Sequence, residues 1–130
     1  MTGNPEKTPR LTISIQGKEG CIGIHKNVVR TLGCPRYLAP RISRKRNLFM
    51  IVPCEREEML SFEMPEKFLE SDHTNYRIYS LGFVRDILIS NGLNTDCTYF
   101  LEGQYSQKNN AVIFLISSAK RFDPKNAEDV

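Results

Sequence analysis

The chain has 130 residues, 40% hydrophobic and 25% charged, with a formal net charge of +3, which fits one globular domain with a core of its own. No run approaches the roughly 18 consecutive apolar residues of a membrane span. The longest are 48–52 and 111–116, and the opening MTGNPEKTPR has no apolar signal segment, so a cytoplasmic location is expected.

Residues 1–10 read as a polar, disordered tail. LTISIQ (11–16) alternates apolar and polar residues with a period of two, 17–20 is a turn, and 21–24 resumes an extended run, so 11–24 reads as a hairpin. Asn27 is the expected N-cap of a helix over 28–32, ended by Gly33 and Pro35. Residues 37–42 and 48–52 form a second hairpin across the turn 43–47.

An acidic stretch follows. Within it, 61–64 alternates like a short strand matching LTISIQ, and 65–69 makes a helical turn after Pro65. Residues 76–79 are extended, and Ser80 is the expected N-cap of a helix over 81–90. Phe83, Val84, Ile87 and Leu88 form its buried face, and Asn91-Gly92 ends it. Residues 98–105 and 111–117 make the last hairpin, and 119–130 reads as a disordered tail.

The same pattern occurs twice. A β-rich run leads into a helix with Val29-Arg30 or Val84-Arg85 near its start and Gly33 or Gly92 at its end, and two β-rich runs follow. The expected fold is therefore α+β, mostly β, built from two β-α-β-β repeats that bury their apolar faces against one another. Repeat one spans 11–54, a connector 55–60, and repeat two 61–118, in one pseudo-dimeric domain over 11–118.

The repeats differ in charge. Residues 10–54 carry nine Lys/Arg and one acid, whereas 55–130 carry eight Lys/Arg and thirteen acids. Such a division marks an anion-binding face or draws the halves together.

The segment CIGIHKNVVRTLGCPRYLAPRISRKRNLFMIVPCE (21–55), and more loosely 77–117, resembles the AbrB/SpoVT/MazE group of swapped-hairpin DNA-binding domains. The helix Val28-Val29-Arg30-Thr31-Leu32-Gly33 fits that pattern well. The resemblance implies a barrel of interleaved hairpins, formed here by two halves of one chain, and a function as a small transcriptional regulator binding duplex DNA. The usual Pro at the strand–helix joint is missing from both copies, and the second copy lacks a basic hairpin, which argues against symmetric reading of a palindrome.

Arg41, Arg44, Lys45 and Arg46 put four bases within six residues of one hairpin, suited to successive phosphates; the same residues also suit a solvated turn. Lys26, Arg30 and Arg36 belong to the same repeat and are candidates for the same patch. The joint His25-Lys26-Asn27 is either a phosphate dock at a helix start or a plain helix start. Arg77 and Arg85 form a secondary anion pocket or pair with Asp86 and the acidic connector. Tyr37, Tyr76, Tyr79, Tyr99 and Tyr105 either stack on bases or pack.

The four cysteines, Cys21, Cys34, Cys54 and Cys97, include no C-x-x-C pair and read as reduced apolar residues. Neither histidine has metal-ligand spacing, and no Gly-rich phosphate loop, G-x-S-x-G or H-E-x-x-H occurs, so no metal, no cofactor and no enzymatic activity is expected. DNA binding is thus the expected function, with dimerisation supplying a second basic half. The alternatives are sequestration of a small anionic nucleotide, and a protein-binding antitoxin or inhibitor of the kind that phages and mobile elements carry.

Overall fold

Leu11, Ile13 and Ile15 are buried while Thr12, Ser14 and Gln16 face outward, the pattern a half-buried strand requires. That strand is β1 (Leu11–Gln16), and the computed structural model of the chain describes residues 10–43, 45, 47–56 and 60–122. After β1 come β2 (Cys21–His25), α1 (Lys26–Thr31), β3 (Tyr37–Ser43) and β4 (Leu48–Pro53). Then follow β5 (Phe62–Glu63), a single 3-10 turn (Phe68–Glu70), β6 (Asn75–Tyr79), α2 (Leu81–Ser90), β7 (Thr98–Ser106) and β8 (Ala111–Leu115). A 3-10 turn over Ile116–Ser118 leads to β9 (Lys120–Arg121).

The strands form a nearly closed, barrel-like antiparallel sheet in the order β5-β3-β4-β8-β7-β1-β2-β6, with β9 pairing β7. The fold is α+β and mostly β. At the seam between β5 and β6, the Tyr76 hydroxyl donates to the Glu63 carbonyl at 2.8 Å. Phe68 packs edge-on against Tyr76 there, with ring centroids 5.8 Å apart. One buried cluster runs through both halves of the chain, from Ile13, Ile24 and Val28 to Phe49, Ile87, Leu101 and Phe114.

The contact between β4 and β8 carries the largest side chains. Phe49 faces Phe114 in register, with ring centroids 6.1 Å apart, and Phe83 of α2 closes on Phe49 at 6.2 Å. Gly103 makes room for this cluster. It faces Phe114 across β7–β8 and Leu11 across β1–β7, and a Cβ there would lie 2.6 Å from both the Ile113 carbonyl oxygen and the Phe114 ring.

Four expectations are corrected. Helix α1 starts two residues before 28, because the side chain of His25, not Asn27, caps it. Ser80 holds the N-cap position of α2 as expected, without a side-chain capping bond. The last strand ends at Leu115 and turns into 3-10 structure, where continued extension to 117 was expected. Residues 119–122 do not belong to a disordered tail. Lys120 and Arg121 pair with Phe100 and Tyr99, and the Phe122 amide donates to the Thr98 carbonyl at 2.8 Å. Arg10, likewise assigned to a tail, is held by its carbonyl, which accepts from Asn27 Nδ2 at 3.1 Å.

Substituting Gly103→Ala should lower the free energy of unfolding by about 1–3 kcal/mol, because the nearest atoms are backbone and a packed ring. Gly82→Ala, on α2 with nothing within 4 Å of the added carbon, should raise it by about 0.5–1 kcal/mol. Urea denaturation of both variants checks the pair; equal effects would contradict the tight contact at Gly103.

Candidate nucleic-acid and anion interface

The joint between β2 and α1 satisfies its own donors. The Lys26 amide donates to the Thr74 carbonyl at 2.9 Å, and the Asn27 amide donates to His25 Nδ1 at 3.0 Å. A phosphate at this joint would have to displace those partners, so the plain helix start fits the geometry. Lys26 also turns its side chain toward the 3-10 turn at Phe68–Glu70. Its ammonium donates to the Ser71 carbonyl and stands over the Phe68 ring, 5.8 Å from the centroid.

The other bases occupy several neighbourhoods. Arg30 is exposed and donates to Asn27 Oδ1 at 3.3 Å. Arg36 forms an exposed ion pair with Glu63 at 3.3 Å and lies over Tyr37 at 5.7 Å. Arg41 projects outward from β3 opposite Met50, and its Nη1 donates to the Pro40 carbonyl at 3.0 Å. Lys45 is exposed at the tip of the β3–β4 hairpin, while Arg44 and Arg46 lie outside the described residues.

The base of that tip is anchored, with the Ile116 amide donating to the Asn47 carbonyl at 3.1 Å. A small cavity of about 170 Å³ separates Ile42 and Asn47 from Asp86 and Ser90 of α2. Arg77 stands exposed on the outer face of β6, opposite Gly23. Arg85 lies exposed on α2, and among the described residues neither it nor Arg77 joins an ion pair.

A second grouping escaped the sequence. Arg10, Thr12, His25, Asn27, Phe100, Glu102 and Lys120 line a groove of about 670 Å³ across the start of β1, the end of β2, the middle of β7 and β9. Arg10 pairs with Glu102 at 3.0 Å, both well exposed. That hydrogen bond and the charge behind it hold the Glu102 carboxyl below its usual range, and Lys120 adds to the effect. Two of the groove's bases lay in expected tails. The signal for one of them was Phe122, an apolar residue just past Lys120-Arg121 that anchors β9 against Phe100, with ring centroids 5.8 Å apart.

Burial pushes the pKa of His25 below its ordinary value, and the cations Arg30 and Lys26 push it further down. The imidazole is thus neutral, as its role as acceptor for the Asn27 amide requires. Burial also raises the Cys21 thiol, which stays protonated. The four cysteines are free, and among the described residues no three His, Cys, Asp or Glu side chains gather as metal ligands would.

Of the tyrosines, Tyr99 is buried and Tyr76 half-buried, whereas Tyr79 and Tyr105 are exposed. No described helix is long and apolar enough to cross a membrane. Comparison of the chain with protein-family models, curated proteins and solved structures gives no match.

Because the folded pKa of His25 lies below the unfolded value of about 6.5, the unfolded chain takes up this proton first on acidification. Its contribution to stability is complete above that value and is lost as pH falls from there through the folded pKa. The unfolding free energy should therefore begin to decline as pH falls through about 6.5. His25→Asn keeps a capping residue without an ionisable group and should flatten that decline. Chemical denaturation across the pH series tests this; an unchanged slope in the variant would refute it.

Proposed function

We propose that this chain is a single-chain swapped-hairpin barrel that binds duplex DNA as a small regulator, with the β3–β4 hairpin as its phosphate-contacting element. The observation that carries the reading is how the two halves share their strands. Taken as a ring closed at the β5–β6 seam, the strand order maps onto itself when β1 is exchanged with β5, β2 with β6, β3 with β7 and β4 with β8.

The β2–β6 and β4–β8 ladders are then the two self-mapping contacts, and β3–β4 corresponds to β7–β8. The ladder β1–β7 corresponds to β5–β3. The partner of β1–β2 would be β5–β6, where the Tyr76–Glu63 hydrogen bond crosses the seam. A helix follows β2 and another follows β6, of six and ten residues. This is the arrangement that an internal duplication with exchanged hairpins produces, and it agrees with the resemblance of 21–55 to the AbrB/SpoVT/MazE group.

Charge supports the assignment of the hairpin. Arg41 and Lys45 lie at one end of β3–β4, Arg44 and Arg46 flank Lys45 in the sequence, and Asn47 ties that end to the body of the barrel. The anchor at Asn47 lowers the ordering cost of docking this end on a polyanion. Arg30 and Arg36 are exposed elsewhere in the same repeat, Arg36 already paired with Glu63, and a second copy of the chain would supply a second basic half.

Affinity for duplex DNA should fall steeply with salt, by about 5 log units per tenfold increase in salt if about six phosphates are engaged. Replacing Arg41, Arg44, Lys45 and Arg46 together by Ala should reduce that slope by about 3–4. Fluorescence anisotropy over a salt series reads both values. A salt-independent affinity, or a slope the quadruple variant leaves intact, would remove the hairpin from the interface.

A further inference from the structure

The groove over β1, β2, β7 and β9 is separate from the hairpin: none of the residues lining it comes from β3 or β4. Its volume of about 670 Å³ lies inside the range of roughly 300–1,000 Å³ typical of small-ligand sites. We propose that it is a binding site for a mononucleotide.

The charge of the groove selects a phosphate. Arg10 and Lys120 line it, and Arg30 stands beside it through Asn27, whose Oδ1 it bonds. Glu102 is the acid on the lining, and it bonds Arg10 through one contact, Nη2 to Oε1, at 3.0 Å. A guanidinium has five N–H donors in a planar fork, so Arg10 keeps donors for an incoming phosphate oxygen. Lys120, fixed by its pairing with Phe100 on β7, brings a second cation to the same wall.

A flat ring is selected by Phe100. It is 45% exposed, on the outer face of the sheet, and Phe122 packs edge-to-face against it with an interplanar angle of 79°. The backbone bond from Phe122 to Thr98 holds that pair in place. Aromatic platforms of this kind stack any nucleobase, because each has a π-face.

Hydroxyl recognition falls to Glu102 and Thr12, neighbours across the β1–β7 ladder. An ionised carboxylate is a pure acceptor, suited to ribose hydroxyls. Like any carboxylate near its ordinary pKa or below, Glu102 is in that form at neutral pH, and its bond to Arg10 favours it further. Phosphate, ring and hydroxyl features thus meet in one concave surface, a combination that free phosphate or an isolated aromatic would only partly satisfy.

Isothermal calorimetry of the full chain with each nucleoside 5′-monophosphate, ribose 5-phosphate and adenosine tests the assignment. At least one nucleotide should bind saturably, and at least about tenfold more tightly than either fragment. Phe100→Ala should weaken that nucleotide about tenfold, and Lys120→Gln about fivefold or more. Both side chains are exposed, so thermal melting should show the variants folded.

The quadruple hairpin variant should bind the nucleotide as the parent chain does, which separates this site from the duplex-binding reading. No saturable nucleotide binding, or binding that Phe100→Ala and Lys120→Gln leave unchanged, would overturn the proposal. So would loss of nucleotide binding in the hairpin variant alone. A single-stranded oligonucleotide that binds through Phe100 and Lys120 at least about a hundredfold more tightly than any mononucleotide would replace the ligand class.

Discussion

Neither half of this chain can satisfy its own strand edges. β1 needs β7 on the side away from β2, and β3 needs β5 on the side away from β4. In both cases the missing partner comes from the other half of the sequence. An unpaired edge exposes a row of backbone donors and acceptors, and a barrel removes that liability only when the ring of partners is nearly complete. The core follows the same logic. Phe49 and Phe114 meet across β4–β8, so the bulkiest buried side chains come from opposite halves. Stability is therefore a property of the joined halves, and folding must bring together residues far apart in the chain, which slows it relative to a local topology.

Charge supports that joining with little energy of its own. The two ion pairs among the described residues, Arg10–Glu102 and Arg36–Glu63, both link the basic first half to the acidic second half. In each, the base and the acid sit at an exchanged strand contact, β1 with β7 and β3 with β5. Exposed pairs of this kind contribute about 0–1 kcal/mol, so they bias register more than they hold the barrel shut. Among the described residues, two acids of the second half thus pair with two bases of the first.

The sequence made the elements legible wherever period or punctuation was strong. The alternation of LTISIQ marks β1, and Gly33 and Gly92, both with positive φ, mark the ends of the two helices. Helix α2 begins and ends at residues 81 and 90 as its apolar spacing implies. The start of α1 was not legible, because Asn27 is the stronger capping residue by type. What decides it is tertiary: Thr74 takes the Lys26 amide, and the half-buried imidazole takes the next one. β9 was hidden for a similar reason. Two charged residues have no alternation, and their strand exists because β7 offers a free edge and Phe122 an anchor.

The candidate site divides along the same line between local and long-range information. The hairpin bases are adjacent in sequence, so composition alone groups them. The groove could not be found that way, since Arg10 and Glu102 are separated by 92 positions and meet only through the β1–β7 register. Exchange of strands between halves thus does more than close the sheet. It carries Arg10 to one flank of β7, while β9 holds Lys120 on the other, with Phe100 projecting outward between them. A barrel formed by either half with its own strands would keep the basic hairpin but would not bring Arg10, Phe100 and Lys120 to a common surface. The connectivity that satisfies the backbone is also what assembles the groove.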